Sequence, residues 1–150
     1  MISENALIVS VTRKHKLHSS LVAQLQVNGY DVEEMALPSE NAGTCSVTGE
    51  IDAKIKGLDL VIVYISADLA ANVCIAALMR TAEKEGVRVV SIWLDDVKAG
   101  EIPQSVDSFS DAVTPYVDDL SGVFSGEENP WTLPDGEEPT KRKIKKHTCG

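Results

Sequence analysis

Two apolar runs dominate the hydrophobic pattern of the chain, Leu60–Ile65, which is continuous, and residues 87–94, which are nearly so. Both are rich in β-branched residues and neither alternates cleanly between apolar and polar positions, which is typical of strands buried on both faces of a parallel sheet. The segment between them is long enough for a crossover helix, and Asp68 is the candidate N-cap of that helix. The centre of the chain is therefore predicted to be a strand–helix–strand unit.

Shorter runs on both sides of this unit predict three more strands. Residues 6–11 are apolar and predict the first strand, and residues 30–36, with several polar positions, predict a strand at the sheet edge. Residues 112–116 predict a fifth strand, which Pro115 places at an edge or at a strand end.

Helices and loops are predicted between these strands. Leucines at positions 17, 21 and 25 share one helical face and predict a helix, with Ser19 or Ser20 as its N-cap. Residues 37–49 are rich in small and polar side chains and predict a long loop, which a short helix over residues 50–56 follows. Short helices are also expected after residue 96 and within residues 117–124.

The alternation of strands and helices predicts an α/β fold. Right-handed crossovers favour a doubly wound parallel sheet of five strands in the order 2-1-3-4-5, as in flavodoxin-like folds. We assign this domain to residues 1–126 and an extended C-terminal tail to residues 127–150. Trp131 is expected to anchor the tail to the domain, because a Trp side chain left in solvent is uncommon.

Ligands of doubly wound sheets bind beyond the carboxyl ends of the strands. Those ends are predicted to present polar side chains that suit a nucleotide, namely Ser10, Arg13, His15, Ser66 and Asp68. The basic loop 13–16 leads into a helix N-terminus, where free backbone N–H groups favour a phosphate. The alternative is a solvated basic loop, because the loop has no glycine-rich phosphate motif.

Asp95 and Asp96 end the fourth predicted strand. They either bind a ribose hydroxyl or a metal, or they stabilise a turn and cap a helix. A phosphoacceptor site of the receiver-domain kind is excluded, because Ser66 stands where that site needs an aspartate and the loop after the first strand is basic.

The charge of the chain is strongly negative, with a formal net charge of −9 at pH 7. The tail is neutral as a whole, so residues 1–126 carry this charge, although the tail holds a basic block over residues 141–146. An acidic domain argues against general nucleic-acid binding. No apolar run reaches the roughly 18 residues that a membrane span needs, so no membrane is predicted either. We expect the basic block to dock on the acidic domain of its own chain or of a neighbour.

The chain has three cysteines, Cys45, Cys74 and Cys149. An odd and sparse count without a secretory signal pattern predicts the reducing cytoplasm. Cys74, within the central helix, is expected to be an inert buried thiol. Cys149 lies beside several bases, which lower the pKa of a thiol, so it is either a reactive cysteine or part of a flexible terminus. The spacing of Cys45, Cys149 and His147 fits no standard zinc module, and no metal site is predicted.

Two segments resemble the Toll/interleukin-1 receptor (TIR) family. ALIVSVTRKHKLHSSLVAQLQVNGYDV is similar to the family's opening strand, polar loop, helix and glycine turn. LDLVIVYISADLAANVCIAALMRTAEKEGVRVVSIWLDD is similar to its strand–Ser–helix–strand block, with a Cys early in the helix. The resemblance covers about residues 6–116, and the end of the chain is similar to the tail of short bacterial TIR-like proteins.

The resemblance implies that the chain binds NAD. TIR enzymes cleave the nicotinamide–ribose bond of NAD with a glutamate on the helix after the third strand, usually three residues beyond the Cys. Ala77 occupies that position here. A methyl group cannot stabilise the developing oxocarbenium charge, so the usual cleavage is predicted to be absent. If cleavage occurs, it uses an unusual acid, for which Glu34, Glu50 and Asp68 are the candidates.

Three hypotheses follow from these observations. The first is a cytoplasmic TIR-like signalling domain of bacterial antiphage defence, which binds NAD or an ADP-ribose-type nucleotide through Ser10, Arg13, His15, Ser66 and Asp68. The second is a catalytically inactive TIR-like module that assembles with itself or with a protein encoded in the same operon. The third is an enzyme resembling nucleoside deoxyribosyltransferases, whose nucleophile the sequence does not reveal.

Overall fold

The computed structural model of the chain describes residues 4–11, 14–66, 69, 72–95, 97 and 101–137. Its centre is a five-stranded sheet with the order β2-β1-β3-β4-β5, in which all neighbouring strands are parallel. The strands are β1 (Glu4–Ser10), β2 (Tyr30–Ala36), β3 (Leu60–Ile65), β4 (Arg88–Trp93) and β5 (Ala112–Pro115). The predicted α/β class, strand number and strand order are confirmed.

Helices cover both faces of this sheet, which is why all six side chains of β3 are buried. On one side, here called the α1 face, lie α1 (His18–Val27) and α5 (Ser121–Ser125). On the other, the α3 face, lie the other helices of the described residues, α2 (Thr48–Ile55), α3 (Val73–Lys84) and α4 (Gln104–Phe109). Each face therefore has its own apolar core.

Two helices begin at other residues than the sequence predicts, α1 earlier and α3 later. In α1, Leu17 occupies the N-cap position and is 37% exposed, so Ser19 and Ser20 lie inside the helix and do not cap it. In α3, the side chain of Asn72 accepts the backbone N–H of Ile75 at 2.9 Å and is the N-cap. Leu69 is buried in the core before this helix begins, and its backbone N–H donates to Ser66 O at 3.2 Å. Asp68, the predicted cap, lies outside the described residues.

A C-terminal strap, residues 130–133, covers the outer edge of β5. The backbone N–H of Val113 donates to Pro130 O and that of Thr132 donates to Val113 O, both at 2.9 Å. Trp131 is 5% exposed and packs into the core of the α3 face, while Nε1 of Trp93 donates to Thr132 O at 2.9 Å. The prediction that Trp131 anchors the tail is confirmed. The basic block 141–146 lies outside the described residues.

Among the helices that the structure describes, none combines the length and the apolar character that crossing a membrane requires.

Tyr30 is buried at the amino end of the sheet. Its ring meets that of Phe124 edge to face at 6.1 Å, and its hydroxyl donates to Phe124 O at 3.4 Å. Burial raises the pKa of Tyr30 to about 12, and the neighbouring Glu4 adds to this effect. The fold therefore holds this phenol in its neutral form.

We expect Tyr30 to destabilise the folded protein at alkaline pH. Its unfolded pKa is about 10, so the unfolded chain gains a phenolate above about pH 10 that the folded chain resists up to its own pKa of about 12. The full loss is about 2–3 kcal/mol. Urea unfolding of the native protein and of Tyr30→Phe, at neutral pH and above about pH 10, measures it. At neutral pH the stability of the two proteins should differ only by the contribution of the hydrogen bond from the Tyr30 hydroxyl to Phe124 O. If the native protein and Tyr30→Phe differ in free energy of unfolding by the same amount at every pH, this prediction is contradicted.

Candidate functional site

The carboxyl ends of β1 and β3 meet where the strand order reverses, which is the usual ligand position in this fold. Ser10 is the last residue of β1 and Ser66 follows β3 directly, so both stand at this edge as predicted. The carbonyl of Ser10 accepts the backbone N–H of Leu37 at 2.8 Å. Arg13 and Asp68, the other two predicted strand-end residues besides His15, lie outside the described residues.

A cleft of about 380 Å³ opens at the same end of the sheet, between the loop after β1 and the ends of β4 and β5. We call it the edge cleft. Three of its side chains are aromatic, His15, Trp93 and Tyr116, and residues 134 and 135 complete its wall. Its charged lining residues are Lys16, Asp95 and Asp135. The edge cleft thus combines ring surfaces with a few polar groups, as small-molecule sites usually do.

His15 is the most enclosed polar side chain of the edge cleft, at 7% exposure. Its Nδ1 accepts the backbone N–H of Leu17 at 2.9 Å, so the proton of the neutral ring is on Nε2. The ring packs against Tyr116 and Tyr64, with centroid distances of 5.6 and 6.1 Å. His15 therefore contributes both a ring surface and a defined tautomer.

Asp95 holds the loop after β1 in place. Its Oδ1 accepts the backbone N–H of Lys16 at 3.0 Å and lies 4.0 Å from Nδ1 of His15. This contact joins two loops that are 79 residues apart in the sequence, and it decides between neither of the two hypotheses for the aspartate pair. Asp96 lies outside the described residues.

Glu34, one of the candidate catalytic acids, belongs to a polar cluster on the α1 face. Its Oε1 lies 3.1 Å from Nε2 of His18, whose Nδ1 is 2.7 Å from the hydroxyl of Tyr64. Lys14 forms an ion pair with the same carboxylate. Hydrogen bonds from Lys14 and His18 lower the pKa of Glu34, and burial raises that of Tyr64. Glu34 is therefore an ionised counter-ion of the basic loop.

Glu50 lies elsewhere, in the first turn of α2. It shares with Glu33, Glu34 and Lys54 the lining of a groove of about 760 Å³ between α2 and β2. This groove follows the sheet edge and includes neither His15 nor Ala77 among its lining residues. The two described candidate acids, Glu34 on β2 and Glu50 on α2, thus line one groove, which does not include the expected glutamate position.

Ala77 lines a third and smaller cleft, of about 280 Å³, on the α3 face. We call it the α3 cleft. Its walls come from α3 and from loop 37–47, and they include Cys45, Thr44 and Arg80. The sequence-predicted site is therefore divided between the two faces of the sheet, with His15 on one and Ala77 on the other.

Cys45 and Cys74 form a disulfide, with an S–S distance of 2.13 Å and Cα atoms 4.8 Å apart. The prediction of Cys74 as an inert free thiol was wrong. The bond ties loop 37–47 to the start of α3, and it engages Cys45, which the rejected zinc alternative would have used. Beside it, Glu40 accepts the hydroxyl and backbone N–H of Ser46, which lower the pKa of that carboxylate. Sequence reasoning missed Glu40 and Ser46; the one signal was their place in a long polar loop.

Comparisons with known proteins do not assign a family. No family model and no curated protein matches the chain. Among solved structures, the chain is similar to the apo structure of cysteine desulfurase from Thermococcus onnurineus NA1, at 22% identity and a TM-score of 0.38. The match covers 61% of this chain and 22% of that chain, and a likeness at this score carries no argument about function.

Proposed function

We propose that the chain is a TIR-like signalling domain of bacterial antiphage defence, acting in the cytoplasm, that binds NAD or an ADP-ribose-type nucleotide in the edge cleft. The observation that supports this most is the position of an aromatic-lined cleft at the carboxyl ends of the strands, beside the basic loop. The fold binds nucleotides at this end in many unrelated proteins. The family assignment rests on the two resembling segments.

The dimensions of the edge cleft suit part of a dinucleotide. Its volume of about 380 Å³ is at the lower end of the usual range for small-molecule sites. An adenine or nicotinamide ring would stack on Tyr116 or His15. The phosphates would lie toward Lys16 and the loop after β1, where the first helix begins.

The same geometry argues against the usual NAD cleavage. Ala77 supplies no carboxylate and lies in the α3 cleft, apart from His15. Glu34 is already compensated by Lys14 and His18. The proposed domain therefore binds the nucleotide without breaking its glycosidic bond.

Calorimetry with NAD, ADP-ribose and cyclic ADP-ribose tests the binding. We expect heat at up to millimolar ligand, and about tenfold weaker binding by Tyr116→Ala, because base–aromatic stacking contributes about 1–3 kcal/mol. Tyr116→Phe keeps the ring and is the matched control, with binding close to that of the native protein. Absence of heat with all three ligands, or equal binding by Tyr116→Ala, would reject the proposal.

Incubation with NAD, followed by chromatography for nicotinamide and ADP-ribose, tests the predicted lack of turnover. We expect none from the native protein, and none from Ala77→Glu, because the new carboxylate would lie in the α3 cleft. Turnover by the native protein would direct mutagenesis to Glu34, Glu50 and Asp68. Turnover by Ala77→Glu but not by the native protein would indicate that the nucleotide binds on the α3 face instead.

The open edge of the sheet favours a second candidate function, an inactive assembly module. Among the described strands, β2 has a strand partner on one side only, so its outer edge can pair with another molecule. Residues 1–126 are acidic as a whole, and the basic block 141–146 of a second copy, or a partner of similar charge, has the opposite sign. Light scattering that shows a salt-sensitive oligomer would support this function, and a monomer at low salt would count against it.

A further inference from the structure

Three groups that can ligate a metal meet on the α3 face. The Sγ atoms of Cys45 and Cys74 and a carboxylate oxygen of Glu40 all lie within 4.8 Å of one another. Two of these residues come from loop 37–47, and Cys74 is the second residue of α3. None of the three lines the edge cleft, so the cluster is independent of the proposed nucleotide site.

The disulfide alone does not explain the position of Glu40. Its Oε1 lies 3.4 Å from Sγ of Cys74, yet a disulfide sulfur carries no proton and cannot donate a hydrogen bond to it. Ser46 fixes the carboxylate, since its backbone N–H donates to Oε1 at 2.9 Å and its hydroxyl donates to Oε2. The loop thus directs an oriented carboxylate at the sulfur atoms, in the way that outer hydrogen bonds orient metal ligands.

We propose that Cys45 and Cys74, once reduced, form with Glu40 a binding site for Zn²⁺. Two thiolates and one carboxylate are a ligand set that zinc accepts, and three protein ligands leave the fourth position open. Zn–S and Zn–O bonds of about 2.3 and 2.1 Å put S and O about 3.6 Å apart across a tetrahedral ion. The observed 3.4 Å between Sγ of Cys74 and Oε1 of Glu40 is close to this value. The two sulfur atoms need to separate to about 3.8 Å.

A phosphine is a sufficient reductant for breaking the Cys45–Cys74 disulfide. A phosphine and one water convert the disulfide into two thiols and a phosphine oxide, which is a two-electron reduction. Zn²⁺ then replaces the two thiol protons, which are released to solvent.

The loop keeps its anchors when the S–S bond is broken. The backbone N–H of Val73 donates to Glu40 O at 2.8 Å, and Nδ2 of Asn72 donates to Pro38 O at 3.2 Å. The backbone N–H of Leu37 is bound to Ser10 O. These contacts hold the two thiols and the carboxylate near one another, so the ligands are assembled before the metal arrives. The α3 cleft, which Cys45 lines, gives the metal a path from solvent.

The test is a metal titration of the full chain, first as the disulfide and then after reduction by a phosphine. We expect one Zn²⁺ per reduced chain and none per oxidised chain. Co²⁺ as a probe should show thiolate-to-cobalt charge-transfer absorption in the reduced chain only. Equal binding in both states, or no binding in the reduced state, would overturn the proposal.

Variants assign the ligands. Cys45→Ser and Cys74→Ser should each lose the charge-transfer band, whereas Cys149→Ser, the matched control, should keep it. Glu40→Gln should weaken binding by more than the roughly 10–100-fold that losing an outer-shell partner costs, and Ser46→Ala by about tenfold. Glu127→Gln, another exposed acid, should bind as the native chain does. A band that disappears with Cys149→Ser and persists in Cys45→Ser would overturn the proposal, and circular dichroism of each variant confirms that it is folded.

Discussion

Replacing Trp131 by alanine is expected to lower the free energy of unfolding by about 3–5 kcal/mol, the usual cost of removing a large buried aromatic side chain. The indole is 5% exposed and packs into the core of the α3 face, so its removal leaves a cavity in that core. It also loosens the strap that covers β5. Thr132 O then holds Nε1 of Trp93 less firmly, and the backbone bonds of Pro130 and Thr132 to Val113 become exposed to water.

Urea unfolding of Trp131→Ala and of two controls measures this effect. Val27→Ala removes an apolar side chain that is 86% exposed and should change the stability by less than about 0.5 kcal/mol. Trp131→Phe fills part of the cavity and should lie between the native protein and the alanine variant. A loss of less than about 1 kcal/mol in Trp131→Ala would mean that the strap does not contribute to the folded domain.

The fold was predictable because the hydrophobic pattern of each strand is local and recurs along the chain. The apolar run of β3 is continuous and that of β4 is nearly so, and the polar residues of β2 mark an edge. The order of the strands then follows from the handedness of crossovers. The position of Trp131 was also predictable, because burying an indole is strongly favourable wherever the chain allows it. The N-cap of α3 was not predictable from the sequence. A buried Leu69 shifted the helix start from the region of Asp68 to Asn72, and only the packed core decides such a shift.

The division of the predicted site between the two faces of the sheet is consistent with the strand order. The connection from β1 to β2 runs in the opposite direction along the sheet to that from β3 to β4. Right-handed crossovers therefore place α1 and α3 on opposite faces. His15 leads into α1, whereas Ala77 lies a full turn inside α3, and the clefts that they line share no residue.

The disulfide was not predictable for a different reason. Cys45 and Cys74 are 29 residues apart, and Cys45 lies in a loop without periodic pattern. Pairing depends on where the loop docks, which the sequence does not encode locally. The odd number of cysteines also favoured free thiols, since the third, Cys149, leaves one unpaired.

Reducing this disulfide in the presence of a chelator is expected to lower the free energy of unfolding by about 3–4 kcal/mol. The bond closes a loop with a sequence separation of 29 residues, and breaking it returns conformational entropy to the unfolded chain. The melting temperature should fall by on the order of 10 °C for a chain of this size. The chelator matters, because a metal bound to the reduced site would restore part of the loss.

Denaturant titrations of the native protein with and without a phosphine measure the effect, and the double variant Cys45→Ala with Cys74→Ala separates it from other thiol chemistry. The double variant should be insensitive to the reductant, while Cys149→Ala should respond as the native protein does. A reductant effect that Cys149→Ala abolishes would assign the bond to a different pair. The expected loss is smaller than the 5–15 kcal/mol that typical domains possess. The reduced chain should therefore stay folded through the backbone bonds that hold loop 37–47 on α3, and its thiols remain assembled for the metal titration.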